Sequence, residues 1–132
     1  MTESPVEVVE ALPSHRHFIV KSFVKGARFA PEFANMTDDA YYAWATPHVI
    51  AVVGVAKTLC AVDAQDHDVI IGFLTFSGTT GHFAYVRKDW RNEQIFKTLR
   101  QLAGIEGYSH RSAFWRHARG GLEWRPFFSD SR

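Results

Sequence analysis

The sequence predicts an α/β (α+β) fold in which a mixed central β-sheet is flanked by helices. Two observations carry this prediction: apolar residues recur at helical spacing in the first part of the chain, and β-rich segments separated by turn residues follow them. The chain has 132 residues, is 46% hydrophobic, and contains no linker rich in Pro, Gly or Ser. We therefore expect a single domain over residues 1–132, with elements in the order β-α-α-β-β-β-α-β-α-β.

The first strand and the first helix are separated by a proline. Residues 6–12 are β-rich and end before Pro13, and Ser14 is a suitable N-cap for the helix that follows. The helix is predicted to end at the interruption over residues 26–31. Its apolar face consists of Phe18, Ile19, Phe23, Val24 and Ala27.

The second helical region begins at a strong start signal. Thr37 can cap a helix, and the two aspartates that follow it place carboxylates at the positive end of the helix dipole. Thr46 and Pro47 repeat this signature, because proline is favoured in the first turn of a helix and disfavoured in its interior. We therefore expect residues 38–56 to form two helical pieces that meet near Pro47.

Beyond this region the pattern predicts a three-stranded antiparallel meander. Residues 58–64 and 69–76 are β-rich and flank an acidic turn at residues 65–68. A second turn at residues 78–81 leads into a third strand over residues 82–87.

The C-terminal part is predicted to alternate between helices and strands. Residues 91–103 carry an amphipathic helical pattern that ends at Gly104. A short strand is expected over residues 106–110, a helix capped by Ser112 follows, and residues 122–128 form the last strand.

Charge divides the chain into two unlike parts, although the net charge is only +1. Residues 1–86 hold five Lys and Arg against nine Asp and Glu, and residues 87–132 hold ten against five. The positive charge of the second part favours the binding of an anion, which could be a phosphorylated small molecule, a nucleic acid or an acidic protein surface. The alternative is a basic surface that only contacts solvent. No arginine-rich block or zinc-finger spacing indicates a nucleic acid as the partner.

Cysteine content and hydropathy restrict the class of protein further. The single cysteine, Cys60, excludes an intramolecular disulfide framework and a four-thiolate zinc site, and we expect no metal site. Cys60 falls on a predicted buried strand and is interpreted as a core residue rather than a nucleophile. The longest apolar run, residues 49–56, is far shorter than the ~20 residues of a membrane helix, and the acidic N-terminus lacks a basic leader region. We expect a soluble, cytoplasmic protein.

Several motifs follow one another between residues 69 and 102. An acidic hairpin precedes Gly72-Phe73, a strand ends at Tyr85-Val86-Arg87, and the aromatic-Arg pair Trp90-Arg91 comes next. This succession resembles the GNAT N-acetyltransferase superfamily, and in particular its short phage-encoded members. Residues 108–111 and 122–127 are similar to the last strands of the same group. The resemblance implies a GNAT-like fold and, for a phage-encoded chain, a location in the host cytoplasm.

The resemblance also implies that acetyl-CoA is bound as a co-substrate. Backbone groups at the strand end would hold the pantetheine arm, and the start of the next helix would hold the pyrophosphate. The implied binding residues are Tyr85, Val86, Arg87, Arg91, Asn92, Glu93, Gln94, Ile95 and Phe96. The sequence departs from the family at its phosphate loop, since Gln94 and Phe96 replace two small residues and Glu93 adds a negative charge.

Catalysis of acetyl transfer needs a base for the ammonium proton and donors for the developing oxyanion. The family often uses a tyrosine of the late helix as the acid towards the departing thiolate, but this sequence offers only Phe114 and Trp115 there. We predict that His110 is the catalytic base, because imidazole titrates near neutral pH. Ser109, its neighbour in the sequence, is predicted to belong to the same catalytic site. The alternative for His110 is a structural histidine at a strand end. For His82 the resemblance offers a place in the wall of the acceptor groove, and we prefer the interpretation as a cross-strand surface residue.

Two functions from different classes follow from this pattern. The first is an acyl-CoA-dependent N-acetyltransferase that acts on a primary amine, either a small molecule or a protein lysine or N-terminus. The second is a catalytically degenerate GNAT-fold protein that serves as a phage host-interaction or virion-associated binding module. A third, weaker hypothesis has the basic half bind nucleic acid, and would show a steep loss of affinity with salt.

Overall fold

A computed structural model describes residues 5–28, 30, 33–91, 94–109 and the backbone of 123–124. Its central feature is a six-stranded mixed sheet whose strands lie side by side in chain order. The pairs β1–β2, β2–β3 and β3–β4 are antiparallel, and the pairs β4–β5 and β5–β6 are parallel. The strands are β1 (Val6–Glu10), β2 (Lys57–Asp63), β3 (Asp66–Ser77), β4 (Thr80–Val86), β5 (Gly107–Tyr108) and β6 (Glu123–Trp124). The antiparallel meander and the mixed sheet are therefore confirmed.

In the described part of the chain, α-helices cover both faces of the sheet: α1 (Arg16–Gly26), α2 (Asp38–Val55) and α3 (Ile95–Ala103). Helices α1 and α2 pack on one face, with Phe23, Tyr41, Val49, Cys60 and Phe73 among the buried side chains. Helix α3 packs on the other face through Leu99 against Ala61, Leu74 and Ala84. The described strands and helices follow the predicted order, and the helix predicted from Ser112 lies outside the described residues.

Helix α2 corrects the expected break at Pro47. It is one continuous helix of 18 residues with Pro47 inside it, and Thr37 caps its start by accepting a hydrogen bond from the Ala40 N–H at 3.1 Å. Proline removes one helical hydrogen bond. The buried face before and after Pro47, at Ala45 and Val49, packs on the sheet and holds the helix together despite that loss.

The start of α1 also differs from expectation, because Ser14 does not cap it. A short 3-10 turn, Pro13–His15, precedes the helix. Within that turn the His15 ring accepts a hydrogen bond from the Leu12 N–H at 3.0 Å, and its other nitrogen lies 2.6 Å from the His67 carbonyl oxygen. The buried imidazole of His15 thus ties the beginning of α1 to β3.

Helix α3 begins later than the sequence suggested, at Ile95 instead of Arg91. Residues Lys88–Trp90 form a 3-10 turn directly after β4. Gln94 then stands at the N-cap with a φ of 61°, in the left-handed region. This backbone conformation directs the chain into α3 and explains why local helical periodicity placed the start too early.

Candidate active site

The candidate site lies along one edge of β4. On one side β3 pairs with β4 over its full length, from Ser77↔Thr80 to Gly72↔Val86. On the other side β5 pairs with it only at Thr80↔Gly107 and Gly81↔Tyr108. Within the part of the chain that the structure describes, β5 does not extend along residues 83–86 on that side. We call this stretch the open edge of β4.

The backbone alternation of β4 shows which groups the open edge presents. The Arg87 N–H donates to the Ile71 carbonyl oxygen at 2.8 Å, so Arg87 and Tyr85 direct their backbone groups towards β3. Ala84 and Val86 consequently direct theirs towards the open edge. The Arg91 guanidinium donates from Nε to the Val86 carbonyl oxygen at 3.0 Å, which fixes this cation beside the edge.

Gly72 on β3 permits the close approach of β4 at this point. A Cβ atom at Gly72 would lie 2.8 Å from the Tyr85 carbonyl oxygen and 3.2 Å from the Ile95 side chain. Both distances are too short for ordinary carbon contacts. Close packing therefore explains the glycine of the Gly72-Phe73 motif, because a larger residue at position 72 would push β4 and α3 away from β3.

A β-bulge places His82 at the N-terminal end of the open edge, next to Gly81. Thr75 pairs with Phe83 and Phe76 pairs with Gly81, so His82 is the extra residue on β4. Its side chain is buried, only 5% exposed. The imidazole Nδ1 lies 2.6 Å from the Ser109 Oγ, and Nε2 lies 2.9 Å from the Ser77 Oγ. The expectation that His82 is a surface residue is therefore wrong.

The environment of His82 keeps its imidazole neutral. Burial, and secondarily the charge of His48 on α2, lower the pKa of His82 from 6.5 to about 4. Burial also lowers the pKa of His48. Both rings are consequently uncharged at neutral pH, and His82 acts as one donor and one acceptor between its two serine partners.

The structure brings together some of the predicted site residues. Ser109 is buried against His82, and its N–H donates to the Gly81 carbonyl oxygen at 2.9 Å. Tyr85 turns its ring towards α1, where Phe18 packs edge-on at 5.4 Å between ring centroids. Arg87 and Arg91 are exposed on the turn that follows β4. The described residues exclude Asn92, Glu93 and His110.

The last three predicted binding residues differ in their surroundings. Gln94 is exposed, whereas Ile95 and Phe96 are half-buried and pack against the α3-side core. The Arg100 guanidinium lies 5.7 Å from the centroid of the Phe96 ring. Phe96 thus turns towards the core of the domain, and its ring does not stand as an exposed group at the start of α3.

We expect Gln94→Gly to raise the free energy of unfolding by roughly 0.5–1 kcal/mol. A left-handed conformation costs an L-residue about 1–2 kcal/mol, which glycine avoids, while the greater freedom of glycine in the unfolded chain offsets part of the gain. Urea unfolding would measure the change. Gln101→Gly is the matched control on the exposed side of α3, where the same exchange should destabilise the protein. A Gln94→Gly variant that loses as much stability as the control would contradict the left-handed assignment.

Among the described residues we find no second site built from other reactive groups. Cys60 is fully buried, and this burial raises the pKa of its thiol to about 12, which confirms its interpretation as a core residue. The described residues contain no cluster of three His, Cys, Asp or Glu side chains that could hold a metal ion. None of the described helices is sufficiently long and apolar to cross a membrane.

Sequence reasoning missed the partnership of His82 with Ser109. The two residues are 27 positions apart, and they meet only because the bulge turns His82 and because β5 ends beside Gly81. A histidine between Gly81 and an aromatic strand was the available signal, but a bulge depends on strand register, which local sequence patterns do not determine.

No protein-family model matches the sequence, and no curated protein matches it significantly. Solved structures do match the fold. YjaB from Escherichia coli, in its apo form, gives a TM-score of 0.53 at 15% identity, over 74% of this chain and 63% of that chain. This chain thus spans less than two thirds of the length of YjaB.

Two further structures carry acetyltransferase names. A possible acetyltransferase from Clostridium difficile 630 gives a TM-score of 0.51 at 17% identity, over 80% of this chain and 78% of that chain. The ribosomal-protein-alanine N-acetyltransferase from Brucella melitensis biovar Abortus 2308 gives 0.51 at 14% identity, over 93% and 82%. At these identities the likeness establishes the fold, which is the GNAT-like α/β (α+β) fold.

Proposed function

We propose that this GNAT-like chain is an acyl-CoA-dependent N-acetyltransferase that transfers an acetyl group to a primary amine. The open edge of β4 carries the proposal. The side of β4 away from β3 presents backbone groups of Ala84 and Val86, and the Val86 carbonyl oxygen already accepts from Arg91. The amides of a pantetheine arm could pair with the groups of Ala84 as a short strand would. Arg91 stands at the end of this edge, where the phosphates of acetyl-CoA would follow.

The charge of the surrounding turn supports an anionic co-substrate. Arg87, Lys88 and Arg91 are all exposed and lie within five residues at the end of β4. The departure at Gln94 is compatible with phosphate binding, because its backbone takes the left-handed conformation that glycine would favour and its amide is exposed. Phe96 packs towards the core, so its ring leaves the start of α3 accessible.

A cavity with apolar and charged walls lies on the α1 side of the sheet, near the end of β4. It has a volume of about 240 Å³ and lies beside Tyr85, with Phe18 and Ile70 as apolar walls. Asp68 and Arg87 both line the cavity, so its charged walls are of opposite sign. The proposal includes both small amines and a protein lysine or N-terminus as acceptors.

Calorimetric titration with acetyl-CoA and with CoA tests the proposal. We expect micromolar binding to the wild type, and a loss of roughly tenfold or more in Arg91→Ala, because a charge-assisted contact to phosphate is removed. Lys21→Ala is the matched control, since it removes one exposed cation from α1, a helix that contributes nothing to the open edge. An amine panel with acetyl-CoA would then identify the acceptor.

The binding-module hypothesis has support from another surface. Four large apolar side chains of α2 are exposed: Tyr42, Trp44, Ile50 and Val55. Two of them, Tyr42 and Ile50, line a common groove with Val20 and Val24 of α1, and a contiguous apolar surface is typical of a protein-interaction site. No detectable heat with millimolar acetyl-CoA, for a folded protein tested at two temperatures, would favour this function, in which the protein binds a host or virion component.

A further inference from the structure

An apolar groove lies between α1 and α2, and we call it the α1–α2 groove. It has a volume of about 540 Å³. Its lining side chains all belong to these two helices: His17, Val20, Lys21, Val24, Lys25, Tyr42, Thr46 and Ile50. Val24 is buried and Val20 is half-buried, so they form the floor, whereas Tyr42 and Ile50 are exposed at the wall. The described part of the chain thus leaves a contiguous apolar surface in contact with solvent.

The two helices that form the groove run antiparallel. The Tyr41 hydroxyl, near the start of α2, donates a hydrogen bond to the Val24 carbonyl oxygen near the end of α1. At the other end of the pair, a Cβ atom at Gly54 of α2 would lie 3.4 Å from the Arg16 guanidinium of α1. Each helix lines the groove across about two turns, roughly 12 Å at the rise of an α-helix. A groove of this length between two helices accommodates about two turns of a third helix.

The α1 side of the groove is basic, and the α2 side is uncharged. Lys21 and Lys25 are spaced four residues apart and His17 continues the row, so the three lie on one face of α1. Successive members of the row are roughly 6 Å apart along the helix axis, and all three are exposed. Among the described residues neither lysine forms an ion pair. The α2 residues that line the groove carry no charge.

We propose that the α1–α2 groove binds an amphipathic helix of another protein, with an apolar face towards the groove floor and carboxylates on the one flank that faces α1. This inference goes beyond the proposed acetyl transfer and does not depend on it. Apolar side chains at helical spacing would cover Val20 and Val24. Asp or Glu side chains four residues apart would pair with Lys21 and Lys25. The flank that faces α2 meets no charge and is expected to be uncharged.

Charge and shape favour this partner over a second copy of the chain or a membrane. A symmetric dimer through the groove would bring Lys21 and Lys25 of both copies into one interface. Like charges placed together in this way oppose association. A flat lipid surface would rest on the exposed side chains of the groove and would not reach the buried Val24 at its floor.

A synthetic peptide tests the proposal. We would use a peptide of about 16 residues with blocked ends, Leu along one helical face, Glu on one flank only, and a fluorophore whose anisotropy reports binding. The control peptide carries Lys in place of each Glu. We expect a Kd on the order of 10–100 µM for the acidic peptide, as is usual for a small interface, and binding at least tenfold weaker for the basic one. Added salt should weaken the binding of the acidic peptide.

Two pairs of variants locate the binding surface. Lys21→Glu should weaken binding of the acidic peptide by roughly five- to tenfold and strengthen binding of the basic one, because the sign of one contact is reversed. Lys57→Glu, at an exposed lysine of β2 outside the groove, is its matched control and should do neither. Ile50→Ala should weaken binding by roughly threefold or more, since apolar contact is lost. Val55→Ala, at a residue of the same helix that is 87% exposed and lies outside the groove, should bind as the wild type does.

Thermal unfolding checks that each variant is folded, and the outcomes assign the occupant. Equal affinity of the wild type for both peptides, or equal losses in Lys21→Glu and Lys57→Glu, would overturn the proposal. A dimer in sedimentation equilibrium that Ile50→Ala dissociates would overturn it in favour of a second copy. Binding to phosphatidylglycerol vesicles that both groove variants lose, with no affinity for either peptide, would overturn it in favour of a membrane surface.

Acetyl-CoA binding, measured on the same proteins, keeps this inference separate from the proposed function. Its affinity should be the same in the wild type, Lys21→Glu and Ile50→Ala, because the groove lies on α1 and α2 and not along the open edge of β4. Absence of acetyl-CoA binding to the wild type, together with selective binding of the acidic peptide, would overturn the acetyl transfer alone.

Discussion

Replacing Arg28 by alanine is expected to lower the free energy of unfolding by about 3 kcal/mol, as removal of a buried charged hydrogen-bond donor generally does. Arg28 connects the end of α1 to the start of α2. Its guanidinium donates to the carbonyl oxygens of Phe33 and Met36 at 3.2 Å and 2.7 Å, and to the Asp38 carboxylate at 2.8 Å. Alanine would leave two backbone acceptors without this donor. Urea unfolding of the variant would give the value.

Two further variants separate the backbone contacts from the ion pair. The Arg28 side chain is 11% exposed and that of Asp38 is 75% exposed, so most of the effect should come from the buried carbonyl contacts. Asp38→Asn should therefore cost less than about 1 kcal/mol. Arg28→Lys keeps the charge but not the planar fork, and should behave more like alanine than like arginine. A loss in Arg28→Ala no larger than in Asp38→Asn would contradict this account.

Acidification is expected to destabilise the protein through His82. The unfolded imidazole titrates near 6.5, and the folded one near a pKa of about 4, so the unfolded state binds more protons between these values. The stabilising contribution is present above pH 6.5 and is lost as the pH falls towards 4. Between pH 7 and pH 5, His82 alone should account for a loss of about 2 kcal/mol.

The pH dependence can be assigned with one variant. His82→Gln removes the titrating group and retains a polar side chain, so its free energy of unfolding should change less between pH 7 and pH 5 than that of the wild type. The smaller contribution of His48, whose pKa is also lowered, remains in both proteins. Parallel pH profiles for the two proteins would show that His82 does not carry the effect.

Local sequence patterns predicted most strands and helices of the fold, because alternation and helical spacing are properties of neighbouring residues. The meander from β2 to β4 is the clearest case. The break at Pro47 was wrong because packing of Ala45 and Val49 on the sheet outweighs the lost hydrogen bond. The start of α3 was wrong because a left-handed residue at Gln94 sets it.

The candidate site was less predictable than the fold. Motif order placed Val86 and Arg91 at the end of β4, where they do lie together. The role of Ala84 depends on backbone alternation relative to β3, and the burial of His82 depends on the β3–β4 bulge. Both features depend on the pairing of strands that are distant in the chain, and the local patterns of a single sequence do not determine that pairing.

The burial of Cys60 makes the chain convenient for site-specific labelling. It is the sole cysteine, and its buried thiol stays protonated well above neutral pH, so maleimide reagents should spare it in the native state. A cysteine introduced at the exposed position Arg87 would then be modified selectively without removal of any native thiol. A fluorophore at that position would report directly on whatever approaches the end of β4.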